Sequence, residues 1–225
     1  MTSAVIVAAG KSRRMGPGVD KAFLHIGSKP VLAYSIVAME NCRDVDEIVI
    51  VVRKDQIPAT RGLVAMHGCR KVKAIVNGGL NRLGSVRNGV AAADPDASVL
   101  LVHDAARPLV VPELVSKCVR SAIANGSGVC ASKIYDSVKV SEKGVVIEGS
   151  VNRDALWTVQ TPQAFRAPLL RRALAAAPDK DPAITDEAAA VQLLGEEVKL
   201  VPWGFPNIKI TVSDDLAVAA RYMQL

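Results

Sequence analysis

The sequence predicts a single α/β domain with a mostly parallel sheet covered by helices on both faces, and three observations carry that expectation. Short apolar runs alternate along the chain with longer segments of helical pattern, the rhythm of right-handed βαβ units. Half of the residues are hydrophobic but only 4% are aromatic, so the core is mostly Val, Leu, Ile and Ala, the mixture of strands buried on both faces. At 225 residues the chain is long enough to bury a sizeable core in one domain.

The elements follow in order. Residues 4–9 (AVIVAA) form a short buried strand that Gly10 breaks. Residues 30–41 read as a helix with proline at its start, 46–52 as a strand, 57–67 as a weaker helix and 72–76 as a further strand. In residues 77–90 (NGGLNRLGSVRNGV) a glycine pair precedes a helix for which Ser85 is a candidate N-cap; a simple tight turn would give the same pattern. Residues 98–102 (SVLLV) are the most hydrophobic strand, and 112–125 and 128–134 are the next helix and strand.

From residue 135 to 156 the character changes. Residues 137–140 and 145–148 flank SEKG, a hairpin signal that cannot join the sheet by βαβ logic and so projects as an arm. Such an arm suits packing on a second subunit, a homodimer. Residues 156–160 then lead into TPQAF, followed by a helix over 167–176 and a loop over 178–184. Thr185, Asp186 and Glu187 open the helix 188–194, with Thr185 explicable as a cap and the acidic pair matching the helix dipole. A strand over 198–202, Lys209 near a strand in PNIKIT, and a closing helix over 213–224 complete a Rossmann-like three-layer αβα sandwich. With no repeat or linker, residues 1–225 form one domain carrying the arm.

Composition narrows the partners. A net charge of +6 calls for an anionic ligand. The chain has no basic tail, zinc-finger spacing or aromatic RNA-binding strand, so a phosphorylated small molecule is preferred to nucleic acid. Cys42, Cys69, Cys118 and Cys130 are widely spaced and suit buried free thiols of a reducing compartment. No stretch approaches a membrane span or a signal sequence, so a cytoplasmic protein without a membrane partner is expected, or a stromal one in a plant.

Two places carry candidate chemistry. The first is the loop after the opening strand, AVIVAAGKSRRMGPGVDK, where Gly10 opens a turn rich in cations. Backbone N–H groups can approach an anion there while Arg14 and Lys21 neutralise it; Lys11 and Arg13 are read as solvated charges. It is neither a Walker A loop, which needs glycine where Val5 stands, nor a dinucleotide fingerprint, which needs glycine at Ser12 and Met15. On pattern alone a solvated surface loop also fits. The second place is His103–Pro108 (HDAARP), at the C-terminal end of a strand, where open α/β sheets carry their sites. Asp104 is a candidate metal or hydroxyl ligand and Arg107 a fork for phosphate or carboxylate, although an Asp104–Arg107 ion pair would also explain both. His103 reads as a packed strand-end residue.

Five separated motifs, AAGKSRRMG with Lys21, NGG…SV, VHDAARP, TPQAF, and TDEAAA with NIKIT, together resemble the 2-C-methyl-D-erythritol 4-phosphate cytidylyltransferase family. The resemblance implies a nucleotidyltransferase-type fold, transfer of CMP from CTP to the polyol phosphate with Mg²⁺, and a homodimer clasped by the arms. It implies that Ala8, Ala9 and Gly10 lie against the nucleotide, Arg14 and Lys21 on the triphosphate, and Gly79 and Ser85 at the cytosine. It further implies that Asp104 sits by the ribose and metal, that Arg107, Thr185 and Lys209 hold the polyol phosphate, and that Ser137 and Arg153 reach the partner's substrate. A ribitol-type polyol phosphate or a non-catalytic nucleotide-binding role are the alternatives. Val7, Leu80 and Ser137 depart from the usual residues, and Leu80 removes a side-chain contact to the base. The attacking group would be the substrate's own ionised phosphate, so no protein nucleophile is needed, and charge stabilisation falls to Arg14, Lys21 and Lys209.

Overall fold

The computed structural model describes all residues except Lys11, Pro17 and Lys180, with Arg13 described only in its backbone. The expectation that Lys11 and Arg13 are solvated charges therefore lies outside the described residues.

The opening apolar run folds as β1 (Thr2–Val7), followed by the short pair β2 (His25–Ile26) and β3 (Lys29–Pro30) and helix α1 (Val31–Glu40). Then come β4 (Glu47–Val52), α2 (Ile57–Met66), β5 (Val72–Asn77), α3 (Arg82–Ala92) and β6 (Val99–Asp104). Helix α4 (Pro112–Asn125), β7 (Ser127–Lys133), the arm strands β8 (Lys139–Val140) and β9 (Gly149–Ser150), and β10 (Trp157–Arg166) follow. The chain closes with α5 (Ala167–Ala176), α6 (Glu187–Gln192), β11 (Leu200–Pro202) and α7 (Asp214–Tyr222).

Seven strands form one sheet in the order β11-β7-β10-β6-β1-β4-β5. All pairings are parallel except those of β10, which runs antiparallel to both β6 and β7. Period-two alternation sorts the side chains into two cores. Ala4, Ile6, Ile48 and Ile50 pack under α1, α2 and α4 through Leu32, Ile36, Leu63 and Leu114. Val5, Val49, Val51 and Leu100 pack under α3 and α5 through Val86, Val90, Leu170 and Leu174.

Three expectations need correction. Residues 156–160 were expected to lead into TPQAF with no strand assigned there, and proline is poorly tolerated inside a sheet; the structure runs β10 through them. Pro162 is accommodated in an irregular stretch where the register against β7 shifts between Val159 and Gln163. In the arm, β9 is Gly149–Ser150 rather than residues 145–148, leaving a longer loop. Val145, Val146 and Ile147 have no second layer to pack on within the chain, so nothing stabilises a longer two-stranded ladder. Lys209 lies on irregular chain, held by the Ile210 N–H donating to the Ala106 carbonyl at 2.7 Å.

Helix α3 lies close on the sheet because residue 89 lacks a side chain. A Cβ there would come within 2.3 Å of Val5 Cγ1 and 2.7 Å of Val51 Cγ2. Gly89→Ala is expected to destabilise the protein by about 1–3 kcal/mol through overpacking, read as a lower urea midpoint at unchanged slope.

Candidate active site

Strand register builds the site. Val7 is the parallel partner of Asp104 and Val52 of Asn77, so the loops after β1, β5 and β6 leave the same edge of the sheet side by side. Between them lies a cleft of about 460 Å³, within the range of small-molecule sites. Ala8 continues the strand direction with its N–H on the Val51 carbonyl, and Gly78 does the same on the Val52 carbonyl.

The glycine pair is required by close approach. A Cβ on Gly78 would meet Ala9 Cβ at 2.3 Å, and one on Gly79 would meet the Gly84 carbonyl carbon at 2.5 Å. Asn81, not Ser85, caps α3, its side-chain oxygen accepting from the Gly84 N–H at 2.7 Å. Asn81 is the residue placed to reach that third N–H of the helix. Ser85 sits inside the first turn and stitches the loop, accepting from the Gly79 N–H at 3.1 Å and donating to the Asn81 carbonyl at 2.9 Å.

Charge in the cleft centres on Asp104, which is only 7% exposed. Its Oδ1 accepts from Arg82 Nε at 3.1 Å and its Oδ2 from Lys209 Nζ at 2.5 Å, while its N–H donates to Thr161 Oγ1 at 3.0 Å. Burial alone would raise the Asp104 pKa, but Arg82 and Lys209 outweigh it and hold the carboxyl well below the usual carboxylate range. Arg82 is shared with Glu187, whose two oxygens accept from Nη1 and Nη2 at 2.7 and 3.0 Å. Burial would lower the Arg82 pKa, yet Glu187 and Asp104 raise it, so the guanidinium stays charged. Lys21 donates to the Ile210 carbonyl at 2.8 Å. Burial first, then the neighbouring Lys209 charge, pulls its pKa below that of an ordinary lysine.

Asp104 thus pairs with Arg82 and Lys209 rather than with Arg107, which donates from Nη1 to the Asn207 carbonyl at 2.7 Å. His103 is fully buried between the Arg107 carbonyl and Thr161. Burial pushes its pKa down to about 4, so it is a neutral packed residue, as its strand-end position suggested.

Ala8, Ala9, Gly10, Arg14, Lys21, Gly79, Ser85, Asp104 and Lys209 line the one cleft. Arg107, Ser137, Arg153 and Thr185 do not. Arg107 is half-buried beneath it, Thr185 is exposed, and Ser137 and Arg153 lie exposed on the arm, where Arg153 donates to the Tyr135 carbonyl. Thr185 is not the cap of α6: Asp186 is, accepting from the Ala189 N–H at 2.9 Å. Sequence reasoning passed over Arg82 and Glu187. Arg82 stood in view as a cation in a glycine-rich loop, but its partner is 105 residues away, and Glu187 read as half of an acidic pair matching the helix dipole.

The cleft supplies few ligands for a cation. Among the described residues no three acidic, His or Cys side chains cluster to hold a metal. Asp20 also lines the cleft but is taken by Arg53 at 2.7 Å and by the Ala22 N–H. Asp104 remains, and its carboxylate has lone pairs beyond those that Arg82 and Lys209 use. One carboxylate beside a phosphate cradle fits a magnesium-type ion that arrives coordinated largely by substrate phosphates and water.

The family model described as IspD, 2-C-methyl-D-erythritol 4-phosphate cytidylyltransferase, matches residues 2–225. A cytidylyltransferase of that name from Pelotomaculum thermopropionicum is 40% identical over 218 residues, 96% of this chain and 92% of the relative. One from Alkaliphilus oremlandii is 36% identical over 224 residues, 99% and 95% of the two chains. Among solved structures, 4-diphosphocytidyl-2C-methyl-D-erythritol synthase from Anaerococcus prevotii superposes with a TM-score of 0.85 at 29% identity, covering 100% of this chain and 96% of that one. The cytidylyltransferase from Thermus thermophilus superposes with a TM-score of 0.80 at 31% identity over the whole of both chains.

The Gly79–Gly84 contact makes the loop between β5 and α3 testable. Gly79→Ala is expected to weaken CTP binding by roughly ten-fold or more in calorimetry, since the loop backbone must move away. Because the atoms the added Cβ would meet are backbone at 2.5–2.9 Å, its thermal midpoint should fall as well.

Proposed function

Because the chain belongs to the 2-C-methyl-D-erythritol 4-phosphate cytidylyltransferase family, we propose a division of labour among its cleft residues for that family's reaction. The enzyme transfers CMP from CTP to 2-C-methyl-D-erythritol 4-phosphate, giving 4-diphosphocytidyl-2-C-methyl-D-erythritol and pyrophosphate in isoprenoid biosynthesis. The observation that carries the division is the convergence of Arg14, Lys21 and Lys209 with the buried Asp104 beside a glycine-lined cradle.

In this division Ala8, Ala9 and Gly10 receive the nucleotide, Gly79 and Ser85 shape the pocket for cytosine, and Asp104 lies by the ribose and a divalent cation. Mg²⁺ is the cation proposed; when bound it offsets negative charge on the triphosphate. Arg14 and Lys21 face the triphosphate. Lys209, with Arg107 and Thr185, receives the polyol phosphate. A phosphate oxygen of the polyol attacks the α-phosphorus, the new P–O bond forms, and the bond to the β-phosphate breaks with its electron pair leaving on pyrophosphate. The attacking phosphate is already ionised near neutral pH, so the step needs no base.

The protein's work is then orientation and charge stabilisation. Lys21 suits it because the Ile210 carbonyl fixes its ammonium before substrate arrives, and a preorganised donor is worth roughly 3–4 kcal/mol where charge develops. The arm, residues 135–156, is proposed to clasp a second copy so that Ser137 and Arg153 reach the partner's polyol phosphate. Its tip supports this: Val145, Val146 and Ile147 are 84%, 66% and 66% exposed, an apolar run that nothing in the protomer covers. Four buried free cysteines suit a reducing cytoplasm. Among the described residues no helix is long and apolar enough to cross a membrane.

Lys21→Ala is expected to lower kcat by roughly 100- to 1,000-fold with an unchanged circular-dichroism spectrum, followed by pyrophosphate release from CTP and 2-C-methyl-D-erythritol 4-phosphate. Near-normal turnover would remove Lys21 from the catalytic group. Arg153→Ala should also be impaired, and mixing it with Lys21→Ala should restore part of the activity through hybrid dimers carrying one intact site. Absence of any rescue in the mixture would argue that each protomer builds its site alone.

A further inference from the structure

We propose that Glu187 is a positioning residue for this reaction: acting through Arg82, it orients the Asp104 carboxylate and keeps part of its acceptor capacity free for ligand. This rests on the placement of Asp104 at the ribose and cation proposed above, and it assigns a role to two residues that this placement leaves unused.

Glu187 opens α6 yet is 1% exposed. Helix formation does not require that burial, because Asp186 already caps α6 and an exposed acid would serve the dipole equally. What the burial achieves is a two-point grip on Arg82, with Nη1 on Oε1 at 2.7 Å and Nη2 on Oε2 at 3.0 Å. The guanidinium is a rigid plane, so fixing two of its nitrogens fixes the direction of the third. That third nitrogen, Nε, donates to Asp104 Oδ1 at 3.1 Å, and Nη2, shared with Glu187, lies 3.1 Å from the same oxygen. Lys209 meets Oδ2 at 2.5 Å, and Thr161 Oγ1 takes the Asp104 N–H at 3.0 Å. The carboxylate is thereby held from both oxygens and from its own backbone.

The order of charges also matters. Glu187, Arg82, Asp104 and Lys209 alternate in sign along one chain of contacts. Without Glu187, the half-buried Arg82 would have only Asp104 to pair with. It would be free to turn from Oδ1, which Nε and Nη2 now share, onto both carboxylate oxygens, and so occupy lone pairs that the ribose or the cation needs. Glu187 prevents this by claiming the better-shaped edge of the guanidinium. An inert buried ion pair that merely ties α3 to α6 would have no reason to extend its third donor into the cleft.

The test uses the whole chain with Glu187→Gln and Arg82→Lys, the latter keeping the charge but lacking the rigid planar fork that grips Glu187 with two nitrogens and thereby aims a donor at Asp104. Thermal midpoint, CTP affinity by calorimetry, steady-state kinetics, and Mn²⁺ binding to the CTP complex by electron paramagnetic resonance are compared with the parent. Glu187→Gln is expected to lower kcat and to weaken Mn²⁺ binding by roughly 10- to 100-fold each, while CTP affinity measured without metal changes by less than about three-fold. Arg82→Lys should show the same pattern, and it carries the test if Glu187→Gln does not fold. A lower thermal midpoint with unchanged kcat and Mn²⁺ affinity per folded molecule, in whichever variant folds, would overturn the proposal and leave the pair structural. Asp104→Asn separates this from the underlying site assignment. An inactive Asp104→Asn beside a fully active Glu187→Gln sinks the positioning role alone, whereas a fully active Asp104→Asn sinks the placement of Asp104 on which the role depends.

Discussion

A carboxylate nearly buried at the end of a strand can remain charged only if cations are brought to it, and the Asp104 site is organised by that requirement. Desolvation disfavours the ionised form strongly in a low-dielectric interior. Two cations from opposite directions, Arg82 at the start of α3 and Lys209 on the irregular chain before α7, offset it. Each comes from a segment far from Asp104 in sequence, so the charged state of Asp104 depends on the completed tertiary structure. Lys209 reaches it because the neighbouring Ile210 N–H is anchored to the Ala106 carbonyl, two residues beyond Asp104. The same anchored residue offers its own carbonyl to Lys21, so one backbone segment holds two of the three proposed catalytic cations.

This arrangement explains why the cleft is cationic without being a simple basic patch. Arg82 and Lys209 are paired with Glu187 and Asp104, whereas Lys21 and Arg14 line the cleft outside that run of ion pairs. Burial first, and then the Lys209 charge, lower the Lys21 pKa. A polyanionic substrate beside Lys21 would favour its charged form.

Much of the fold was legible in local pattern. Helices α4 and α5 lie where the chain's pattern placed them, and α1 follows the proline start of residues 30–41, because such signals act within a single turn. Strand β10 was not legible, since its pairing with β6 and β7 is specified by partners rather than by its own composition, and Pro162 opposes a strand locally. In the site, residues carried by a local motif came out together: the glycine loops, Lys21 and Asp104 line one cleft. Glu187 could not be found this way. Its burial follows from where α6 packs, and nothing in TDEAAA distinguishes a buried glutamate from an exposed one at a helix start. Ser85 and Thr185 were assigned caps that neighbouring Asn81 and Asp186 perform, because several polar side chains near a helix start compete for the same N–H groups and backbone geometry decides among them.

Under the proposed placement of the nucleotide, the base must be selected mostly by backbone. Leu80 lines the cleft with a fully exposed side chain that carries no hydrogen-bonding group. The Gly78 N–H is committed to the Val52 carbonyl and the Gly79 N–H to the Ser85 hydroxyl. With those donors used inside the protein, neither glycine N–H is available to a base lying against the turn. The glycine pair, needed in the first place for the close packing of Ala9 and Gly84, would set the hydrogen-bonding character of the nucleotide pocket as well as its shape.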